Sequence, residues 1–233
     1  MATETTGKTA LIVGASRGLG LAMAEAFLER GWRVIATVRG AGRTKLHDLA
    51  AKAGGALEIL TLDVTSQDEL AALAQKLVGR RLDLLFVNAG ALDDPPKPIG
   101  EVSTDEFIRL MLTNALGPLR VVEALQSLVP RDGAIGVMSS GLGSVSRNVG
   151  GGYEAYRGTK AALNTMMRSF AARAGGERAI LVMDPGWVRT DMGGANAELA
   201  VEESIPRLVD TIIANRATPG AKFLNYRGET VPW

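Results

Sequence analysis

An apolar run, Thr9–Val13, leads straight into Gly14-Ala15-Ser16-Arg17-Gly18-Leu19-Gly20, and then into an amphipathic stretch that stops at Gly31. A short run without polar alternation predicts a strand buried on both faces, as in a parallel sheet covered by helices. A strand, a glycine turn and a helix start together form an anion cradle. Backbone N–H groups and the helix dipole converge there because no side chain intervenes. A plain βα turn would have the same outline and bind nothing, but the first turn of the chain is where a dinucleotide phosphate is met in such sheets.

The alternation continues along the chain. Further strands are expected at 33–38, 57–62, 82–87, 134–138, 179–183 and 222–224, with helices between them at about 103–129, 156–174 and 201–214. Ser66…Glu69 and Ser103…Glu106 are capping boxes that open two helices. Strands alternating with helices imply an α/β fold, a doubly wound parallel sheet with helices on both faces. A length of 233 residues suits one such domain, 1–233. The glycine turn, Asp63, Asn88 with Ala89 and Gly90, Ser140 and Pro185 would then share one edge, at the carboxyl ends of the strands, where open α/β sheets bind ligands.

The stretch 138–160, MSSGLGSVSRNVGGGYEAYRGTK, brings chemistry to that edge. Tyr156 and Lys160 are four apart, which on a helix places them on one face about 5 to 6 Å apart at Cβ. An ammonium beside a phenol lowers the phenol's pKa and makes Tyr156 a proton donor or acceptor near neutral pH. Ser140, ending a strand, can hydrogen-bond the same substrate oxygen. A lone Tyr-x-x-x-Lys pair is more often surface decoration, so the weight lies in its convergence with the rest of the edge.

Arg39 follows the second strand and Arg17 sits in the glycine turn, with no Asp or Glu between Arg30 and Lys45. At this place an acid selects a free ribose 2′-hydroxyl and a base a 2′-phosphate, so NADP is favoured over NAD. Asn114 lies inside the helix expected at 103–129, where asparagine has poor propensity. It either faces solvent or does something specific. The prolines at 95, 96 and 98 make 93–98 a stiff surface loop.

With 26 basic and 25 acidic residues the net charge is +1, which offers no field for nucleic acid or an anionic membrane. No apolar run is long enough to span a bilayer, and residues 1–10 lack the pattern of a signal peptide. His47 is the sole histidine and there is no cysteine, so no disulfide forms and no metal site is expected. A soluble, cytoplasmic protein fits these features.

Gly14-x-x-x-Gly18-x-Gly20, Asp63-Val64, Asn88-Ala89-Gly90, Asn114, Ser139-Ser140, Tyr156-x-x-x-Lys160 and Pro185-Gly186 occur in the order of the short-chain dehydrogenase/reductase family, which the chain resembles over nearly its full length. Tyr156 to Lys160, Pro185 to Met192 and the Pro232-Trp233 ending are similar to its carbonyl reductase subgroup, which includes sniffer and the C-signal factor. The resemblance implies a Rossmann-like sheet in the order 3-2-1-4-5-6-7 and NADP(H) as cofactor. It implies Tyr156 as general acid, Lys160 lowering its pKa and binding the nicotinamide ribose, Ser140 orienting the carbonyl, and Asn114 holding a water for a proton relay.

By the same matching, Gly14, Ser16, Arg17, Gly18, Leu19, Gly20 and Arg39 would meet the phosphates. Asp63 and Val64 would meet adenine, Asn88, Ala89 and Gly90 the adenosine-side ribose, and Pro185, Gly186, Val188 and Thr190 the nicotinamide end. A homodimer or homotetramer packed through the helices of Asn114 and Tyr156 is implied as well. Three departures stand out. Val13 replaces the usual threonine and removes a structural hydrogen bond. The spacing from Ser140 to Tyr156 is three residues longer than the commonest one, which leaves Ser139 and Ser144 as rivals to Ser140. The segment after Thr190 is too short for a large lid.

The reading is an NADPH-dependent reductase of aldehydes or ketones. A secondary-alcohol dehydrogenase and a nucleotide-binding signalling protein are the alternatives. Arg147, Val149, Tyr153, Trp187 and Trp233 flank the site and are expected either to touch substrate or to pack loops.

Overall fold

The structure, a computed structural model, describes residues 7–93 and 95–233. Most of the stretch read for a signal peptide, and Asp94 in the proline loop, lie outside the described residues. Seven strands form one parallel sheet in the order β3-β2-β1-β4-β5-β6-β7. They are β1 (Thr9–Val13), β2 (Arg33–Val38), β3 (Leu57–Thr61), β4 (Leu84–Val87), β5 (Ala134–Met138), β6 (Ala179–Asp184) and β7 (Gly220–Asn225).

The inner strands bury both faces while the edge strands β3 and β7 are partly exposed, and along β1 the alternation sorts the side chains into two layers. Ala10 and Ile12 join α1 (Gly18–Glu29), α2 (Lys45–Lys52) and α7 (Val201–Asn215), whereas Leu11 and Val13 join α3 (Gln67–Lys76), α5 (Gly117–Leu125) and α6 (Glu154–Phe170). The apolar runs read as two-sided strands therefore have a physical cause in two separate cores. The register sets Val13 beside Val87 and Met138 beside Met183. The carboxyl ends of the central strands thus form one level rim.

The helix expected over 103–129 is divided. It runs as α4 (Thr104–Met111), widens into a π turn at Leu112–Leu116, resumes as α5 and ends in a 3-10 turn at Gln126–Leu128. Pro118 has no N–H to give the Asn114 carbonyl, its partner in a regular α-helix, so the backbone opens at that point. Gly117 lets the widened turn close on the chain after β3, since a Cβ there would lie 2.6 Å from the Val64 carbonyl oxygen. Among the described residues no helix is long and apolar enough to cross a membrane.

Candidate active site

The glycine turn is held by its neighbours. Gly14 has φ +86°, a region open to glycine, and a Cβ there would stand 2.9 Å from the Ala89 nitrogen. A Cβ on Gly20 would come within 2.1 Å of the Gly14 carbonyl oxygen. Asn88 donates through Nδ2 to that same carbonyl at 2.8 Å. The Gly14 N–H donates to Thr37 Oγ1 at 3.0 Å, from a side chain with no exposure. Thr37 was not anticipated; it gives this turn a side-chain hydrogen bond although position 13 holds a valine.

Around the turn, Ser16, Arg17, Gly18, Arg43, Lys45 and Thr190 line a depression. Arg17 is exposed and donates to Asp191, and Arg43 to Asp48. Arg43 is a second residue that motif reading missed, because only folding returns α2 to the glycine turn. Leu19 packs into a core layer. Gly18, with φ +56°, lies under the Thr190 methyl, which a Cβ would meet at 3.9 Å.

Arg39 is exposed at the end of β2, and its charge reaches Asp63. Burial pushes the Asp63 carboxyl up, but hydrogen bonds from the Thr65 hydroxyl and amide, together with Arg39, outweigh it and lower the pKa. The Val64 side chain is buried in a core layer, so toward a ligand it presents backbone.

Asn114 is fully buried. Its Oδ1 accepts from the Ala91 N–H at 2.7 Å, and its Nδ2 donates to the Ala91 carbonyl at 2.8 Å and to Thr159 Oγ1 at 2.9 Å. Of the two readings left open by the sequence, the specific one holds. A Cβ on Gly90 would sit 3.5 Å from both Asn114 Oδ1 and Lys160 Nζ, so a bare backbone faces that pair.

Ser140 opens a 3-10 turn, Gly141–Gly143, and its Oγ accepts from the Leu142 N–H at 3.1 Å. Its rivals are engaged elsewhere. Ser139 donates to Asn164 Oδ1 at 2.6 Å, and Ser144 to the Pro232 carbonyl at 2.6 Å. Of the three, Ser140 is the one whose hydroxyl acts on the Tyr156 phenol, favouring its ionised form. The insertion before Tyr156 ends in Tyr153, the one non-glycine residue with positive φ (51°) among the described residues, and Arg157 donates back to the Gly151 and Gly152 carbonyls.

Lys160 is buried. Its Nζ lies 5.7 Å from the Tyr156 ring centroid and donates to the Met138 carbonyl at 2.9 Å. Burial lowers its pKa to about 8. The net direction at Tyr156 is the opposite of the lowering expected from Lys160. Burial, the largest cause, raises the Tyr156 pKa; Ser140 opposes it by hydrogen bonding, and the carboxylates of Asp184 and Asp93 raise it further. Desolvation of the acid thus outweighs the one hydrogen bond that favours its ionised form.

After β6, Pro185 gives its carbonyl to Ser204 Oγ at 2.6 Å, and Gly186, at φ +77°, turns the chain. Val188 is buried and bridges Leu199, and Thr190 Oγ1 accepts from the Gly193 N–H at 3.1 Å. A short bonded loop thus covers the glycine turn. Of the flanking aromatics, Trp187 is half exposed at this rim, with Nε1 donating to the Gly193 carbonyl at 2.8 Å. Trp233 instead packs its ring 5.5 Å from Phe223 and beneath Arg168, so packing is the reading that holds for it. Arg147 and Val149 are exposed on the insertion.

A level strand-end rim with a glycine cradle at one end and, at the other, a half-buried Ser140 with the buried Tyr156 and Lys160 defines a nucleotide-dependent oxidoreductase. The model of the short chain dehydrogenase family matches residues 8–199, and the chain belongs to that family. A short-chain dehydrogenase/reductase from Burkholderia multivorans, with NADP bound, is 56% identical, with 97% of this chain and 100% of that one covered and a TM-score of 0.95. The carbonyl reductase Sniffer of D. melanogaster is 30% identical, with 97% and 100% covered and a TM-score of 0.86. C-signal of Myxococcus xanthus is 36% identical over 70% of this chain and 99% of its own length. The likeness to the subgroup of sniffer and C-signal is thus borne out.

Proposed function

We propose that the protein is an NADPH-dependent carbonyl reductase. The observation that carries this reading is the Tyr156 phenol, buried beside Lys160, with the Ser140 hydroxyl acting on it, and held protonated by its surroundings. A phenol that is protonated at neutral pH has in place the proton that a carbonyl oxygen takes up when it is reduced.

The turn that Gly14 and Gly20 let close, with the bare backbone of Gly18 at the helix start, fits a pyrophosphate, and the open face of Gly90 before Lys160 and Asn114 fits a ribose. Arg17, Arg39 and Arg43 would take the 2′-phosphate, in keeping with the NADP bound to the Burkholderia relative. When bound, NADPH supplies the hydride. Ser140 and Tyr156 hold the carbonyl oxygen by hydrogen bonds, and Tyr156 Oη passes its proton to that oxygen as charge develops there. Lys160 binds the ribose, and its ammonium sits where a phenolate left by that transfer is stabilised. Asn114 fixes the Gly90 to Ala91 backbone, and its own carbonyl, deprived of a helical donor by Pro118, is the place for a relay water.

The protein acts as a homodimer or homotetramer in a reducing compartment such as the cytoplasm, packed through an apolar groove lined by Leu70, Leu119, Met166 and Phe170. NADPH oxidation with a panel of aldehydes and ketones tests the reading, with NADH in parallel. Tyr156→Phe is expected to lose about 10²–10⁴-fold in turnover while binding NADPH as the wild type does. A wild type that reduces no carbonyl, or that uses NADH equally well, would count against it.

A further inference from the structure

The proline-containing segment after β4 is expected on the surface, and residues 95–101 are indeed exposed or nearly so. Asp93 departs from this. It is 1% exposed, and neither carboxylate oxygen has a hydrogen-bond partner. No other buried side-chain nitrogen or oxygen is in that condition among the described residues. The buried polar residues Asn114, Thr159, Lys160, Ser139 and Asn164 are, by contrast, all bonded. A buried carboxylate without donors is costly, and nothing in the fold offsets the cost.

Two anchors tie the segment that carries Asp93 to the helices around Tyr156. At one end Ala91 is bonded both ways to the Asn114 side chain. At the other, the Ile99 N–H donates to Glu154 at 2.8 Å, in the turn of α6 that carries Tyr156. The charge of Asp93 is felt at the phenol, together with that of Asp184. Asp184 lies next to Ser140, its Oδ2 only 2.9 Å from where a Cβ on Gly141 would stand. Two carboxylates therefore flank the pair of hydroxyls, while the one buried cation there, Lys160, is committed to the Met138 carbonyl.

We propose that Asp93 is a substrate-recognition residue, accepting a hydrogen bond from an N–H or O–H group carried beside the carbonyl that is reduced. The proposal rests on the carbonyl reductase reading and narrows it to amino- or hydroxy-substituted carbonyl compounds. Tyr156 and Ser140 present donors to the carbonyl oxygen, so the complementary acceptor must meet a donor on the adjoining carbon. A charge-assisted bond in a dry site discriminates strongly against an analogue that cannot make it. The two carboxylates repel a keto acid by the same field.

The test compares kcat/KM for α-aminoacetophenone, α-hydroxyacetophenone, acetophenone and phenylglyoxylate, with NADPH, in the wild type, Asp93→Asn and Asp93→Leu. The wild type is expected to favour the amino or hydroxy ketone over acetophenone by about tenfold or more, and phenylglyoxylate least. In Asp93→Leu that ratio falls to within about threefold of unity. Asp93→Asn separates the donors, keeping preference for the hydroxyl and losing it for the ammonium. Both variants are expected to melt no lower than the wild type, since each removes an unpartnered buried charge. An unchanged ratio in Asp93→Leu, no donor preference in the wild type, or a lowered melting temperature in both variants overturns the proposal and leaves the reductase reading standing. Failure of the wild type on these four overturns the proposal, and failure on the wider panel of aldehydes and ketones as well removes that reading itself.

Discussion

Tyr156 and Lys160 are four apart on α6, and spacing alone makes them neighbours, yet it does not set their protonation. Both are buried, and burial favours the neutral form of each, raising the phenol and lowering the ammonium to about 8. The lysine has a consequence for stability. Below about pH 8 the folded chain carries a buried ammonium; between about 8 and 10.5 the unfolded chain keeps a proton that the folded chain has released, so this group stabilises the fold as pH rises. At about 1.4 kcal/mol per pH unit, the gap corresponds to a cost on the order of 3 kcal/mol at neutral pH. Part of it is offset by the bond to the Met138 carbonyl. Lys160→Met is therefore expected to be more stable than the wild type by about 1–2 kcal/mol near neutral pH, with the advantage vanishing toward pH ~10.5. Urea melts of both proteins at several pH values measure this. A variant less stable than the wild type at neutral pH would show that the hydrogen bond outweighs the burial.

Between β1 and α1, the sequence displayed the glycines and left their support hidden. Gly14, Gly18 and Gly20 are legible because the missing side chains are the signal. Thr37 is not, since it is one more β-branched residue in a buried strand until the register of β1 on β2 brings its hydroxyl to the Gly14 N–H. Thr37→Val keeps the shape and removes the acceptor. It is expected to cost about 1–3 kcal/mol in denaturant unfolding. NADPH affinity should fall with it, because the turn loses its inner tether. An unchanged stability would mean that water satisfies the freed N–H. The π turn at Leu112–Leu116 shows the converse. Pro118 announces a break within the periodic run 103–129, but the apolar pattern continues through it and reads as one helix. Asp93 was hidden for a related reason: the prolines following it mark a surface loop, and only the anchors at Asn114 and Glu154 fold that residue inward.

At the scale of the molecule, the doubly wound parallel sheet and its shared edge followed from the alternation of elements, whereas the strand order came from the family resemblance, since right-handed crossovers leave more than one order open. What two copies share is not written in any motif; it depends on which helix faces the single sheet leaves uncovered. Helices α3, α5 and α6 cover one layer and still leave between them the groove of Leu70, Leu119, Met166 and Phe170, edged by Arg120, Glu123 and Arg173. An apolar stripe with a charged rim is how a protein interface is built, and a stable one hides about 800 Å² on each partner. The same α6 carries Tyr156 and Lys160 on its inner face, so packing copies along its outer face would stiffen the element that positions the chemistry. Met166→Glu places a charge in the groove without entering the fully buried core. It is expected to yield a folded monomer by light scattering, with turnover reduced by about tenfold or less because the site itself is intact. A wild type already monomeric at micromolar concentration would refute the packing. A Met166→Glu protein that stays oligomeric would move the interface to another face.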